Sequence, residues 1–259
     1  MKKIKIILSG ASGRLCSVIA KMVSERDDCE ILCGVDVSES IASPFPIYGS
    51  FEKITDRADV IVDCSYHTSV NALLEYAEKT ATPAVICTTG HTDDETALIR
   101  AASEKIPILK SRNMSLGINL LTELTKKAAT ALGKDFDIEI AEAHHHNKLD
   151  APSGTALMLA DAAREARDEA GIESEYIYDR TNVRRARDSS EIGISSVRGG
   201  TIVGEHTVIF AGEDEVIKLS HSAGSRNLFA AGAIRAALFL AGRGAGFYTM
   251  SDVIGEMIK

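Results

Sequence analysis

Basic charge is scarce in this sequence. Its 29 Lys and Arg face 37 Asp and Glu, a formal net charge of −8 at pH 7, with an isoelectric point near 5.4. Nucleic-acid binders ordinarily carry the opposite balance, so no nucleic-acid partner is expected. Long apolar runs are also missing. The longest stretch, residues 229–241, is interrupted by Arg235 and is too short to span a bilayer, so no membrane partner is expected. The opening MKKIKIIL has basic residues but too short an apolar run for a secretory leader. A cysteine framework is lacking as well. Cys16, Cys29, Cys33, Cys64 and Cys87 are odd in number, sit in the first third and form no C-x-x-C. That argues against a disulfide scaffold or zinc knuckle. Reduced thiols in a cytoplasm are expected instead. There is no internal repeat or low-complexity tract.

What is present is an ordinary globular composition: 259 residues, 45% apolar and 25% charged. At roughly 150 residues per domain, that length predicts one large or two small domains with a proper core. Residues 4–8 read as a short buried strand. The turn Gly10-Ala11-Ser12-Gly13 follows, then a helical pattern through Leu15, Val18, Ile19, Met22 and Val23. Residues 31–35, 60–64 and 84–88 read as strands, and 70–79 and 94–105 as helices. Strands alternating with helices predict a parallel sheet with crossover helices.

The texture changes near residue 112. Residues 116–132 read as one long helix. Phe136, Ile138 and Ile140 alternate with Asp137, Glu139 and Ala141, which predicts a half-exposed strand. A helix is expected over 155–170, then strands over 192–197, 201–210 and 216–222. Strands in series after a helix predict a second, α+β domain on a mixed sheet. A small-residue helix over 226–241 is expected to pack back on the first domain. The expected division is therefore 1–115 plus 226–259, and 116–225.

Four stretches carry chemistry. The turn from Gly10 to Gly13 joins a strand to a helix, where backbone amides can meet a dinucleotide pyrophosphate. The full G-x-G-x-x-G fingerprint is incomplete, because Cys16 stands where the last glycine would fall. Asp36 ends the second strand 23 residues after Gly13, where a ribose hydroxyl would be bound. Val37, Ser38 and Glu39 follow, with no nearby cation, so NADH is favoured over NADPH. Thr88-Thr89-Gly90 lies at a strand's carboxyl end and reads equally as a nicotinamide-ribose contact or a plain polar turn.

The third stretch is HHHNKLDAPSGT, residues 144–155. Its histidines and Lys148 supply charge and transferable protons. Pro152 suits the first turn of a helix. Gly154 and Thr155 would then offer amides at a helix N-terminus, an anion site. That combination suits a small carboxylate substrate and acid–base work. Neighbouring histidines on extended backbone point to opposite sides, and no third ligand stands nearby, so no metal is expected. A solvated histidine loop is the plainer alternative. The fourth stretch, residues 195–207, has three glycines that suggest turns or close contacts. Arg198 reads equally as a carboxylate clamp or a structural ion pair; Glu205 and His206 read as structural.

Taken together, these stretches resemble the 4-hydroxy-tetrahydrodipicolinate reductase (dihydrodipicolinate reductase) family. The matching pieces are GASGR at 10–14, TTG at 88–90, NMSLGIN at 113–119, EAHH at 142–145 through KLDAPSGTAL at 148–157, and Arg198 through His206-Thr207. Ser225-Arg226, Phe229-Ala230 and Gly232-Ala233 complete the set. The resemblance implies a Rossmann-type doubly wound sheet plus a substrate-binding and oligomerisation domain. It implies NADH- and/or NADPH-dependent reduction with loss of water, in diaminopimelate and lysine biosynthesis, by a cytoplasmic homotetramer. His144 would be the acid–base residue and Lys148 a proton donor. His145, Gly154 and Thr155 would hold the substrate. Gly10, Ala11, Ser12, Gly13, Arg14, Leu15, Asp36, Cys87, Thr88, Thr89, Ser111, Arg112, Asn113 and Met114 would line the cofactor, with Phe229 over the nicotinamide. Two domains also predict closure on substrate.

The sequence departs from the family at Cys16, at Cys87, at Arg112 and across Asp63-Cys64-Ser65-Tyr66-His67. Arg112 could supply a phosphate contact. Two rival readings remain at this point. Another small-molecule dehydrogenase would have no reason to carry the 144–155 block. A non-catalytic dinucleotide sensor would be indifferent to His144→Gln plus Lys148→Ala.

Overall fold

The computed structural model describes residues 2–38, 43–178, 180–181 and 184–257. Glu39, read above beside Asp36, lies outside them. In chain order the elements are β1 (Ile4–Ser9), α1 (Arg14–Ser24), β2 (Cys29–Val35), β3 (Ile47–Tyr48), β4 (Val60–Asp63) and α2 (Val70–Thr80). They continue with β5 (Ala84–Ile86), α3 (Asp93–Ser103), β6 (Pro107–Lys110), α4 (Leu116–Leu132), β7 (Asp137–His144) and α5 (Gly154–Glu169). The last are β8 (Glu175–Ile177), β9 (Glu191–Arg198), β10 (Glu205–Ala211), β11 (Val216–Ser222), α6 (Asn227–Leu240), β12 (Gly246–Tyr248) and α7 (Met250–Met257). The chain splits into two compact units: Met1–Leu116 with Asn227–Lys259, and Gly117–Arg226.

The first unit is built on seven parallel strands in the order β12-β6-β5-β4-β1-β2-β3. Both faces are covered, which is why β1 and β4 are continuous apolar runs rather than alternating ones. Ile6, Leu8, Val60 and Val62 point to the side packed by α1 and α6. Ile7 and Ile61 point to the side packed by α2 and α3. Helix α6 thus belongs to this unit, against α1 and the central strands. Strand order reverses between β1 and β4, the kind of position where open α/β sheets bind ligands.

The second unit is a mixed sheet, β11-β10-β7-β9-β8. Strands β7, β8 and β9 run parallel, while β10 is antiparallel to β7 and β11. Helices α4 and α5 bury their apolar faces on it, around Leu121, Leu159, Ile138, Ile140, Val208 and Phe210. Arg167 of α5 is wholly buried and donates to the carbonyls of Phe136 and Ser189.

Several expected boundaries move. Strands 60–64 and 84–88 end at Asp63 and Ile86, before residues used in the site. The strand expected over 201–210 begins only at Glu205, because a turn through Gly200, at φ +48°, occupies the residues before it. Pro152 is not in the first turn of α5. Ser153 is the N-cap, its hydroxyl accepting the Ala156 N–H at 3.1 Å, and Pro152 precedes it. Strands β3, β6, β8 and β12 were not foreseen; each has two to four residues, too few to show a period of two.

Candidate active site

In the first unit the glycine turn is held by main-chain bonds. The amides of Gly10 and Ala11 donate to the Val35 carbonyl at 2.9 and 3.2 Å, and Gly13 N–H donates to Gly10 O at 2.9 Å. Gly10 sits at φ +77°, and a Cβ there would lie 2.8 Å from the Cys64 carbonyl oxygen. Only glycine fits both constraints. Gly13 is the N-cap of α1, and no side chain caps that helix. Ala11 is buried, while Ser12, Arg14 and Leu15 lie at the turn with more exposure.

Asp36 accepts the Ser12 N–H at 2.9 Å and the Ser38 N–H at 3.1 Å, so the turn orients its carboxylate. A cleft of about 500 Å³ opens at the switch point, lined by Ser9, Gly10, Gly13, Asp36, Ser65 and Thr68 among others. Its size, the close backbone approach at Gly10 and the helix start without a side-chain cap suit a dinucleotide.

The other expected cofactor residues lie at the carboxyl ends of β5 and β6 and do not line this cleft. Thr88 is buried and its hydroxyl is spent on the Asp63 carboxylate at 2.7 Å. Thr89 is exposed, and Gly90 turns the chain at φ +81°. Ser111 donates its hydroxyl to Asn113 O at 2.7 Å, and Asn113 Oδ1 accepts Ser115 N–H at 2.8 Å, so 111–115 is a self-bonded turn. Met114 turns its side chain into the core, while Arg112 is exposed. Phe229 is half-buried against the same core.

Cys16, Cys87 and His67 each have local partners or packing. Cys16 is wholly buried and its thiol donates to Ser9 O at 3.5 Å. The neighbouring Cys64 thiol and burial push the Cys16 thiol up, so it packs as a neutral group. Cys87 is half-buried beside Cys64. His67 pairs with Glu95 at 2.9 Å.

In the second unit the geometry grows from the alternation along β7. Ile138 and Ile140 face the core, so Glu142 and His144, two and four residues on, face the same way. Both are buried. His144 Nδ1 lies 2.6 Å from Glu142 Oε2. Arg198, opposite His144 on β9, donates to both oxygens of Glu142 at 2.8 and 2.7 Å. The Ser153 N–H also donates to Glu142, at 3.1 Å. Burial pushes the Glu142 carboxyl up, but Arg198, Ser196, His144 and the Ser153 amide outweigh it and hold it down to about 2. His206 pairs with Glu142 across β10 and bonds the Ser153 hydroxyl at 3.0 Å. Burial, with the neighbouring His144 second, holds His206 down to about 4.

Lys148 ion-pairs with Asp150 at 2.8 Å. His145 Nε2 lies 3.3 Å from Arg226. Burial, with Arg226 next, pushes the His145 imidazole down. Gly154 and Thr155 open α5, with their amides in its first turn. His144, His145, Lys148 and the α5 start thus belong to one unit and one strand-to-helix connection. Between the two equal readings of Arg198, the structure decides for the ion pair with Glu142. Glu142 itself was missed as a site residue. Extending the alternation by one more step places an acid at an inward position, a signal that asks for a partner.

A doubly wound parallel sheet with a glycine turn and an acid at the end of its second strand, joined in one chain to a buried imidazole–carboxylate network, fits a two-unit dinucleotide-dependent oxidoreductase. The comparisons with known proteins name the family. Residues 4–114 match the family description "Dihydrodipicolinate reductase, N-terminus" and residues 117–254 match "Dihydrodipicolinate reductase, C-terminus". The chain is 47% identical over 251 residues to a 4-hydroxy-tetrahydrodipicolinate reductase of Caldanaerobacter subterraneus, covering 97% of this chain and 98% of that one. It is 42% identical to the enzyme of the same name from Clostridium tetani, covering 98% of each. A dipicolinate-bound dihydrodipicolinate reductase from Paenisporosarcina shares the fold, at TM-score 0.81 and 23% identity over 96% of this chain and 98% of that one. The chain belongs to the dihydrodipicolinate reductase family.

Proposed function

We propose that this protein reduces 4-hydroxy-tetrahydrodipicolinate to tetrahydrodipicolinate with NAD(P)H, releasing water, in the diaminopimelate–lysine route. The observation that carries the reading is the 144–155 block seated on the Glu142 carboxylate, with an acid–base histidine, a lysine and a helix start in one connection.

When bound, NAD(P)H would supply the hydride. The Gly10–Leu15 turn and the α1 start would hold its pyrophosphate through main-chain amides. Asp36 would take the adenosine ribose hydroxyls and repel a 2′-phosphate, favouring NADH. Cys87, Thr88, Thr89 and 111–114 would meet the nicotinamide ribose through backbone, because the Thr88 hydroxyl is committed to Asp63. Phe229 would lie over the nicotinamide. In the second unit, His145, Gly154 and Thr155 bind the two substrate carboxylates at the positive end of α5. His144 and Lys148 manage protons. Reduction with loss of water needs one hydride, which the nicotinamide would supply, and one proton, which His144 or Lys148 would deliver to the reduced ring. We place the assembly as a cytoplasmic homotetramer joined through the mixed sheet; by gel filtration with light scattering, a tetramer's mass agrees and a monomer's refutes it.

The test is NADH and NADPH oxidation with substrate generated in place by a dihydrodipicolinate synthase. Wild type is run beside His144→Gln/Lys148→Ala. Turnover that collapses in the variant while dinucleotide binding survives is expected. Tight dinucleotide binding without turnover by the wild type overturns the assignment.

A further inference from the structure

We propose that Glu142 is a positioning residue: one buried carboxylate sets the tautomer of His144 and fixes the start of α5. The inference rests on the acid–base role proposed for His144.

The Glu142 side chain is wholly shielded from solvent. Its Oε2 faces His144 Nδ1 at 2.6 Å and takes an Arg198 N–H at 2.8 Å. Its Oε1 takes the second Arg198 N–H at 2.7 Å and the Ser153 N–H at 3.1 Å. An ionised carboxylate can only accept hydrogen bonds, and Arg198 keeps this one ionised. The His144 proton therefore resides on Nδ1 in the neutral ring. Nε2 is left as the nitrogen that gives and takes protons. A Cβ added to Gly204 would lie 3.1 Å from that Nε2, so glycine there leaves it room.

The second arm of the carboxylate does separate work. Ser153 is the N-cap of α5, so holding its amide sets where the helix begins. The proton-transferring nitrogen and the amides that would bind substrate carboxylates are thus registered to one group. His206 closes the arrangement from β10: its ring meets the His144 ring edge-on at 5.1 Å while its Nε2 bonds the Ser153 hydroxyl.

Glu142→Gln separates this role from a merely structural ion pair. The glutamine oxygen stays with Arg198 and Ser153, so its NH₂ falls where Oε2 was. That NH₂ donates to His144 Nδ1 and forces the neutral ring to carry its proton on Nε2, the wrong tautomer for catalysis.

The experiment uses full-length protein with ¹⁵N-labelled histidine at pH 8, without substrate. Long-range ¹H–¹⁵N spectra identify the His144 ring by its absence in His144→Gln. The expected result is Nδ1–H in the wild type and Nε2–H in Glu142→Gln. Turnover should fall about 10²–10⁴-fold, with KM for the dicarboxylate and Kd for NADH changed by no more than about threefold, since the Ser153 contact survives. Glu142→Gln/Arg198→Met removes the cation left unpaired and serves if the single variant does not fold; the same tautomer switch is expected. An unchanged tautomer, or unchanged turnover in a variant whose tautomer has switched, overturns the proposal. A wild type with no turnover refutes the reductase reading instead, and the tautomer spectra then decide the positioning role alone.

Discussion

The two units build their candidate sites from different material. In the parallel-sheet unit, the turn after β1 offers amides, and the contacts that shape it are main-chain bonds from Gly10, Ala11 and Gly13. The first turn of α1 accommodates a buried thiol at Cys16, bonded to Ser9 O. In the mixed-sheet unit the site is a chain of side chains. Arg198, Glu142, His144, Ser153 and His206 come from β9, β7, the α5 cap and β10, and each is committed to another. A site built from backbone needs a few glycines at set spacing and tolerates what surrounds them. A site built from side chains needs every partner, because removing one leaves a buried polar group unsatisfied.

That contrast can be broken most severely from the side-chain half. His144→Gln/Lys148→Ala is expected to lower turnover about 10²–10⁴-fold while NADH binding, measured by fluorescence titration, stays near wild type. Equal loss of NADH binding would mean that the two functions are not separable by unit. From the backbone half, Gly10→Ala forces a Cβ to 2.8 Å from Cys64 O at a positive φ. It should weaken NADH binding about 10–100-fold, equivalent to 1–3 kcal/mol of strain, and leave the His144 ring spectra untouched. Calorimetry with NADH reads the first and histidine ¹⁵N spectra the second.

A smaller effect sharpens the backbone half. Asp36→Ser removes the carboxylate that the Ser12 and Ser38 amides orient. The ratio of kcat/KM for NADPH over NADH should rise about tenfold, as expected when roughly 1.4 kcal/mol of charge repulsion is lost. An unmoved ratio would shift attention to Arg112.

The last effect is on stability. His206 is held down to about 4, so the unfolded chain takes a proton first as pH falls. The stability this brings is complete above about 6.5 and is lost as pH falls from there through about 4. Glu142, held down to about 2, adds a second loss from about 4.5 toward 2. Urea melts between pH 8 and pH 3 should therefore steepen in acid. His206→Gln should flatten the part between 6.5 and 4 by up to about 3 kcal/mol. An unchanged slope would mean that His206 is protonated in the folded state.

The parallel sheet was readable because β1 and β4 are apolar runs punctuated by a glycine turn and an aspartate at the next strand's end. Gly10, Gly13 and Asp36 stood out from their place between strand and helix and at the next strand's end, because the glycine spacing by itself is an incomplete fingerprint. The 144–155 block was readable from its crowd of histidines, lysine and glycine. Its organisation was not. Pro152 looked like a helix start and lies ahead of the cap. Arg198 read two ways, and Glu142 was not singled out as a site residue. Spacing along one chain shows which face a residue takes on its own strand, but not what stands across the sheet from it.

The sequence by itself determined two kinds of architecture, the glycine turn between β1 and α1 and the acid at the end of β2. Those properties are local: they depend on period, on glycine's freedom and on strand-end position. Only the tertiary structure decided that Glu142 lies against His144, Arg198 and Ser153, and that Thr88 spends its hydroxyl on Asp63. Those pairings depend on the register of β7 with β9 and β10 and on the order of β4 and β5. Strand register is set by packing of the whole sheet, and no single stretch of chain contains it.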